Sequence, residues 1–310
     1  MKSLGLLLYG EMGYPTLESL LGDFKIVWAV LPKISDQTET ERKTFDLAQI
    51  KNIPIKFAVS NSALEKIVKK ETPDAVVVAS YDKVIPKSIL ESCKFINVHL
   101  GDLPRYRGRA TVNWAIINGL KKIPVAIHEV VEELDSGNVF AKLDVAIGEL
   151  DDVGVVYERI GKRIKQSLSM VIKKVLDGYS GVAQKGEATY CCTRTNEDGL
   201  IDWSKSSSDI HRLIRAVTRP YPGAFTYLEG KKMIIWDAEI VRDRGYVGRI
   251  PGRIGRIIHG IGVEILTGDS SIIIKNIRLN NREMNASDII RSTKKTLGIN
   301  IAELDARLNH

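Results

Sequence analysis

Cysteine is scarce in this chain: three in 310 residues, Cys93 and the adjacent Cys191 and Cys192. That count excludes a disulfide-stapled fold, and no CxxC spacing points to a thiolate metal site, so reduced thiols are expected. The five histidines, at 99, 128, 211, 259 and 310, form no HxH or HExxH string, and on that pattern no resident metal is expected. Long hydrophobic runs are missing too. The Leu4–Tyr9 stretch is far short of the roughly 20 apolar residues of a membrane span, and Lys2 alone is a poor start for a signal peptide. A soluble cytoplasmic chain with no membrane partner is the expectation. Neither a Walker A nor a GxGxxG string is present, and no internal repeat stands out.

What the chain does contain is an ordinary globular balance, 44% hydrophobic and 27% charged, with length enough for two cores. Its charge is unevenly spread. Residues 201–310 hold 18 Lys and Arg against 12 Asp and Glu, so +6 of the net +7 lies in the last third. Arg242, Arg244, Arg249, Arg253 and Arg256 crowd one Gly-rich stretch there, which suits either phosphates or plain solvent.

Five short apolar runs alternate with amphipathic stretches: LGLLLYG with PTLESLL, KIVWAVL with TETERKTFDLAQIKN, IPIKFAV with SALEKIVKK, DAVVVAS with PKSILESC, FINVHL with RATVNWAIINGL. This alternation predicts an α/β fold with a Rossmann-like, mostly parallel sheet covered by helices on both faces. PVAIHEVV and NVFAKLDVAI, joined through ELDSG, predict a hairpin that extends the sheet. Val155, Ile160, Ile164, Leu168 and Ile172 predict one long helix ending at Gly178. The expected first domain is 1–180 and the expected linker 181–205. The remainder, 206–310, begins with a Ser-capped bridging helix stopped by Pro220 and Pro222. Five alternating runs follow (AFTYLE, KKMIIWDAEIV, GRIGRIIH, GVEILTG, SIIIKNIRL), predicting a small OB-like β-barrel, and a last helix is expected over Ala286–Thr296.

In open α/β sheets ligands bind beyond the carboxyl ends of the strands, so the residues after Tyr9, Ser80 and Leu100 carry the search. Asn97 and His99 lie two apart and share a strand face. An amide N–H can polarise a carbonyl while a neutral imidazole takes a proton, the minimum equipment for acyl transfer to an amine. Asp135, in the ELDSG turn, could return to His99 and raise its pKa, or could simply form the turn.

The string NVHLGDLPRYRGR, then NWAI, an apolar strand and LDSG, resembles the N10-formyltetrahydrofolate-dependent formyltransferase family. That family includes methionyl-tRNA, glycinamide ribonucleotide and nucleotide-sugar enzymes. The resemblance covers almost the whole chain and implies a formyltransferase domain over 1–180, N10-formyltetrahydrofolate as donor, no metal, and Asn97, His99 and Asp135 as catalytic residues. It further implies that the donor lies against Tyr81, Asp82, Lys83, Val84, Ile85, Glu133 and Leu134. Where many members read HxSLLP this chain reads HLGDLP, so nothing carried by that serine transfers to Gly101. YGEMG after the first strand and LPKISDQTETERK after the second differ from the strings common in the tRNA enzymes, and RPYPGAFTY is similar to nucleotide-sugar members. The acceptor implied is therefore the amine of a nucleotide-linked amino sugar, held by Glu11, Met12, Arg107, Arg109, Arg215, Arg219 and Tyr221, with Arg107 also suited to tie its loop to the sheet. Initiator tRNA is the alternative acceptor, the only one under which nucleic acid is a partner, and a homodimer is compatible with either.

Overall fold

The computed structural model describes residues 1–57, 60–241 and 244–299, so Ala58, Val59, Arg242, Asp243 and residues 300–310, which include His310, lie outside the described residues. Two compact units emerge: one of Met1–Thr111, Lys121–Ile147 and Val155–Thr193, the other of Val112–Leu120, Gly148–Gly154 and the chain from Arg194 onward.

The first unit contains β1 (Ser3–Leu8), α1 (Gly13–Leu20), β2 (Lys25–Leu31), α2 (Glu39–Ile50), β3 (Ile55–Phe57), α3 (Asn61–Glu71), β4 (Ala75–Ala79), α4 (Lys87–Leu90), β5 (Lys94–His99) and the short β6 (Arg107–Gly108). After α5 (Thr111–Ile117), nearly all of which falls in the second unit, come β7 (Lys122–Glu129), β8 (Val139–Ala146), α6 (Val153–Leu176) and the short β9 (Tyr190–Cys191). The sheet order is β3-β2-β1-β4-β5-β7-β8. β1 to β5 are parallel, and β7 and β8 run antiparallel, as the hairpin reading expects. The apolar runs become strands because both faces are covered. Leu7, Trp28, Val30, Val76, Val78 and Phe95 pack on Leu64 and Val68 of α3 and on Ile85 and Ile89 beside and within α4. On α6 the buried stripe runs Val153, Val156, Ile160, Ile164, Leu168, Ile172, so the buried face starts at Val153 and the predicted Val155 is only half-buried.

Chain direction reverses between β1 and β4, which pair with each other while the chain proceeds outward on either side. That is a topological switch point, where the loops leaving two adjacent strands diverge and open a crevice. Tyr9 and Tyr81 sit just past these two strand ends with ring centroids 5.2 Å apart, edge to face. The crevice is tied on one side by Glu41, which accepts the Gly10 N–H at 2.7 Å and also completes a capping box with Thr38 at the start of α2.

The second unit contains α7 (Ser207–Val217), capped by the Ser206 side chain, then β10 (Ala224–Leu228), β11 (Lys231–Ile235), β12 (Ala238–Val241), β13 (Ile254–Ile258), β14 (Gly262–Leu266), β15 (Ser271–Ile274), β16 (Asn276–Leu279), β17 (Arg282–Asn285) and α8 (Ala286–Ile289). Two four-stranded antiparallel sheets, β10-β11-β16-β17 and β12-β15-β14-β13, form the small barrel. Two expected strands break at corners: KKMIIWDAEIV at Trp236–Asp237 and SIIIKNIRL at Lys275, each passing from one sheet to the other. The corners are laced together by Trp236 N–H to Asn276 O at 2.9 Å and Lys275 N–H to Asp237 O at 3.2 Å. The helix expected over 286–296 ends at Ile289. Beyond it the backbone bonds elsewhere, with Ile254 N–H donating to Lys295 O and Leu297 N–H to Gly252 O, so helical bonds are not available.

Candidate active site

Asn97 and His99 share one face near the carboxyl end of β5, and the antiparallel register sets His128 of β7 directly opposite Asn97. Asp135 reaches the same point from the turn between β7 and β8, so the three predicted residues do meet. A carbonyl can only accept, so His99 Nε2–H donates to Tyr106 O at 2.7 Å, leaving Nδ1 facing Asp135 Oδ2 at 3.5 Å. By the same reasoning His128 Nδ1–H donates to Glu129 O at 2.8 Å, and its Nε2 accepts the Asn97 amide at 3.1 Å. Asp135 Oδ1 lies 3.5 Å from both Asn97 Nδ2 and His128 Nε2, and Oδ2 accepts Gly108 N–H at 2.9 Å.

Exposures of 6% for the His99 side chain, 1% for His128 and 8% for Asp135 make the cluster nearly dry. Burial pushes the His99 imidazole down, more than the Asp135 carboxylate and the Tyr106 carbonyl pull it up, and His128 adds to the depression. Asp135 does pull the His99 imidazole up, as expected, but desolvation outweighs it and the net shift is downward. Burial pushes the Asp135 carboxyl up, yet His128, His99 and the Gly108 N–H together hold it at about 2. At neutral pH the site therefore presents a neutral imidazole to an ionised carboxylate.

The turn that delivers Asp135 is strained and held. Asp135 has φ of 50°, in the left-handed region, at a cost of about 1–2 kcal/mol. Gln184 Nε2 donates to Asp135 O at 2.7 Å and to Gly137 O at 2.9 Å, and its Oε1 accepts Arg107 Nη2 at 3.0 Å. Arg107 also donates to Glu133 Oε1 at 3.0 Å and to the Tyr190 hydroxyl at 3.2 Å. The buried Arg107 thus ties its loop to the turn and presents no free guanidinium. A side chain on Gly137 would put Cβ 2.1 Å from Glu129 O, so the last residue of LDSG has to be glycine. At Gly101 a Cβ would lie 2.5 Å from His99 Nε2 and 2.6 Å from Tyr106 O. The departure from HxSLLP has a physical consequence: only without a side chain there can His99 rest on the Tyr106 carbonyl as it does.

The remaining predicted residues are distributed. Tyr81 is half-buried, Asp82, Lys83 and Val84 are exposed on the loop after β4, and the Ile85 side chain belongs to the core. Val84 and Leu134 are 77% and 54% exposed, large apolar groups open beside the site loops. Glu11 accepts the Thr40 hydroxyl at 2.7 Å, whereas Met12 is buried in the core. Arg109 is exposed. In the second unit Arg215 donates to the Asp151 carbonyl, and Arg219 pairs with Glu283 and lies 4.3 Å from the Trp236 ring centre; Tyr221 follows at the end of α7. The sequence reasoning missed His128 and Gln184. The register of β7 against β5 would have found the first. The second lies in an aperiodic stretch with no signal.

Residues 32–172 match the family described as formyl transferase, and 194–294 match formyl transferase, C-terminal domain. A methionyl-tRNA formyltransferase of Pelotomaculum thermopropionicum is 31% identical over 94% of this chain and 96% of its own length. Among solved structures, HypX of Aquifex aeolicus in complex with tetrahydrofolic acid has the same fold at 17% identity, with a TM-score of 0.66 over 92% of this chain and 46% of that one. A 4-N formyltransferase from Francisella tularensis does so at 19% identity, with a TM-score of 0.59 over 72% and 91%. Matched in both of its units by family models and along its length by a relative, the chain belongs to the formyltransferase family and is a transferase.

Proposed function

We propose that the protein moves a formyl group from N10-formyltetrahydrofolate to the amino group of a nucleotide-linked amino sugar. The observation that carries this reading is the meeting of Asn97, His99 and Asp135 at the carboxyl end of β5. A neutral amine attacking the formyl carbon gives a tetrahedral oxyanion, so the site must hold the oxygen's charge while the amine loses a proton. His99, kept neutral by burial, and ionised Asp135 accept that proton as a pair, which fits their 3.5 Å approach. The proton balances the one that N10 of the departing folate takes up. Asn97 is the donor to oxygen: swinging its amide from His128 Nε2 to the formyl oxygen exchanges a neutral hydrogen bond for a charge-assisted one.

The loops suit the donor. Val84 and Leu134 offer open apolar surface to its rings, and the main chain at 81–85 and 133–134 offers N–H and C=O groups to its amide-like edge. A neighbour of the same fold was solved with tetrahydrofolic acid. For the acceptor, Glu11 on the segment after β1 is a carboxylate that an amine could meet, whereas Glu39 is paired with Lys43 and Glu41 is buried on the Gly10 and Thr38 N–H groups. On the first unit the exposed Arg109 is a candidate to meet a phosphate. On the second, Arg215, Arg219 and Tyr221 are the candidates for a diphosphate, each already engaged within the protein. Initiator-tRNA formylation is the second reading, favoured by the full-length likeness to a methionyl-tRNA formyltransferase and by the basic last third. Incubation with N10-formyltetrahydrofolate and, separately, a panel of amino-sugar nucleotides and charged initiator tRNA tests the proposal: formylation of a sugar amine is expected, and formylation of the tRNA alone would overturn it.

A further inference from the structure

The absence of HxH and HExxH strings made a metal site unexpected, but pairing of β5 with β7 gathers His99, His128 and Asp135 so that one ligand atom from each lies within 4.8 Å of the others. We infer that these three residues and Asn97 form a four-coordinate site for a borderline divalent cation, Zn2+ foremost, and that filling this site and formyl transfer exclude one another. The inference is independent of which acceptor the enzyme uses.

Geometry carries it. Tetrahedral zinc with bonds of about 2.0–2.2 Å needs ligand atoms about 3.3–3.6 Å apart. The separations are 3.1 Å from the Asn97 amide atom to His128 Nε2 and 3.5 Å from that same atom to Asp135 Oδ1. A third edge is 3.5 Å, from His128 Nε2 to Asp135 Oδ1. His99 Nδ1 faces the other carboxylate oxygen, Oδ2, at 3.5 Å and, with one atom each from His128 and Asp135, lies in a set within 4.8 Å, so a small turn of the carboxylate or of the His99 ring closes the His99 corner. As it stands the fourth corner is an amide nitrogen. A half-turn of the Asn97 carboxamide sets its oxygen there, exchanging a hydrogen-bond donor for a ligand.

The surroundings are those of a metal centre. A ligating histidine usually donates its other ring N–H to a carbonyl or carboxylate, which fixes the tautomer and aims the free nitrogen at the metal. Both histidines do this, His99 to Tyr106 O and His128 to Glu129 O, and the carboxylate is anchored by Gly108 N–H. Two imidazoles with two oxygens suit zinc, and so small a set offers too few oxygens for Ca2+ or Mg2+. Partly exposed Asn97 gives the ion a way in. A bound ion would occupy His99 Nδ1 and the Asp135 carboxylate, the groups needed to accept the amine's proton, so transfer would stop.

The full-length protein, stripped with a chelator and then titrated with Co2+, tests this without any substrate. One equivalent should bind with the visible absorption of tetrahedral Co2+, and Zn2+ should displace it stoichiometrically. His128→Gln should weaken binding by about tenfold or more, and formyl transfer should fall as the site fills and return on adding chelator. An octahedral spectrum in the unmodified protein, or binding by His128→Gln and Asp135→Asn as tight as by the unmodified protein, would overturn the inference. Failure of the sugar-nucleotide assignment would leave the cobalt titration unaffected.

Discussion

The two units each bury a carboxylate, and they treat it in opposite ways. Glu264, wholly buried in β14, is answered locally: Arg256 Nε lies 3.1 Å from one oxygen and the Ser271 hydroxyl donates to the other at 2.8 Å. Its partners come from strands paired with its own, and nothing is left over for a ligand. Asp135 sits on a turn with left-handed φ, and among the described residues only Gly108 makes a close hydrogen bond to its carboxylate, while two imidazoles and an amide stand off at 3.5 Å. A buried acid is thus no marker of function by itself. What distinguishes Asp135 is that several elements converge on it with unfinished contacts, at a strained position that other residues keep in place.

Substitutions can sharpen or break that contrast. Asp135→Asn is expected to cut turnover by about a hundredfold or more, the scale of acid–base groups, while donor affinity measured by titration changes only a few fold. A second consequence appears in stability. Because the folded Asp135 pKa is held at about 2, below its ordinary value near 3.8, its ionisation stabilises the fold by about 2 kcal/mol above the ordinary value. That contribution is lost as pH falls from the ordinary value toward about 2. His99, depressed by burial, acts in the same direction: its contribution is full above the ordinary histidine range and is lost as pH falls through its lower folded value. Denaturant melts of the wild type should therefore weaken on acidification, and Asp135→Asn should reduce the part of that loss in the carboxylate range, to which Asp102 and other lowered carboxylates also contribute.

Gln184→Ala should lower kcat by about tenfold, the worth of one or two hydrogen bonds, with little change in either KM. Gln184→Glu should do worse, since a carboxylate would face the Asp135 and Gly137 carbonyls that now receive N–H groups. Equal losses in kcat and both affinities would mean general damage and not misplacement of Asp135. The smallest effect is assigned to Glu264→Gln, a loss of about 1 kcal/mol in unfolding free energy with turnover per folded molecule unchanged. A large loss of turnover there would erase the distinction between the two carboxylates.

Much of this was legible in the sequence, for identifiable reasons. Asn97 and His99 are two residues apart on one strand, so their shared face follows from the β period alone. Asp135 was readable through its turn motif and the family resemblance. His128 was not, because its place opposite Asn97 depends on the register of two strands separated by a helix. Gln184 acts through backbone carbonyls from an aperiodic segment, and no pattern of hydrophobicity reports that. In the second unit the alternation continues straight through Trp236–Asp237 and Lys275, so the corners of the barrel were invisible as breaks. α8 is short because the backbone after Ile289 pairs with residues 252–254, a long-range competition that local propensity does not encode.

The most direct measurement is single-turnover formyl transfer by His99→Asn, with N10-formyltetrahydrofolate and whichever acceptor, amino-sugar nucleotide or charged initiator tRNA, the unmodified enzyme formylates. If His99 and Asp135 together take the amine's proton, the rate falls by about a hundredfold or more while the protein folds normally and binds the donor within a few fold of wild type. A correctly folded His99→Asn enzyme that transfers formyl at near the wild-type rate would contradict the account and move the chemistry away from this cluster.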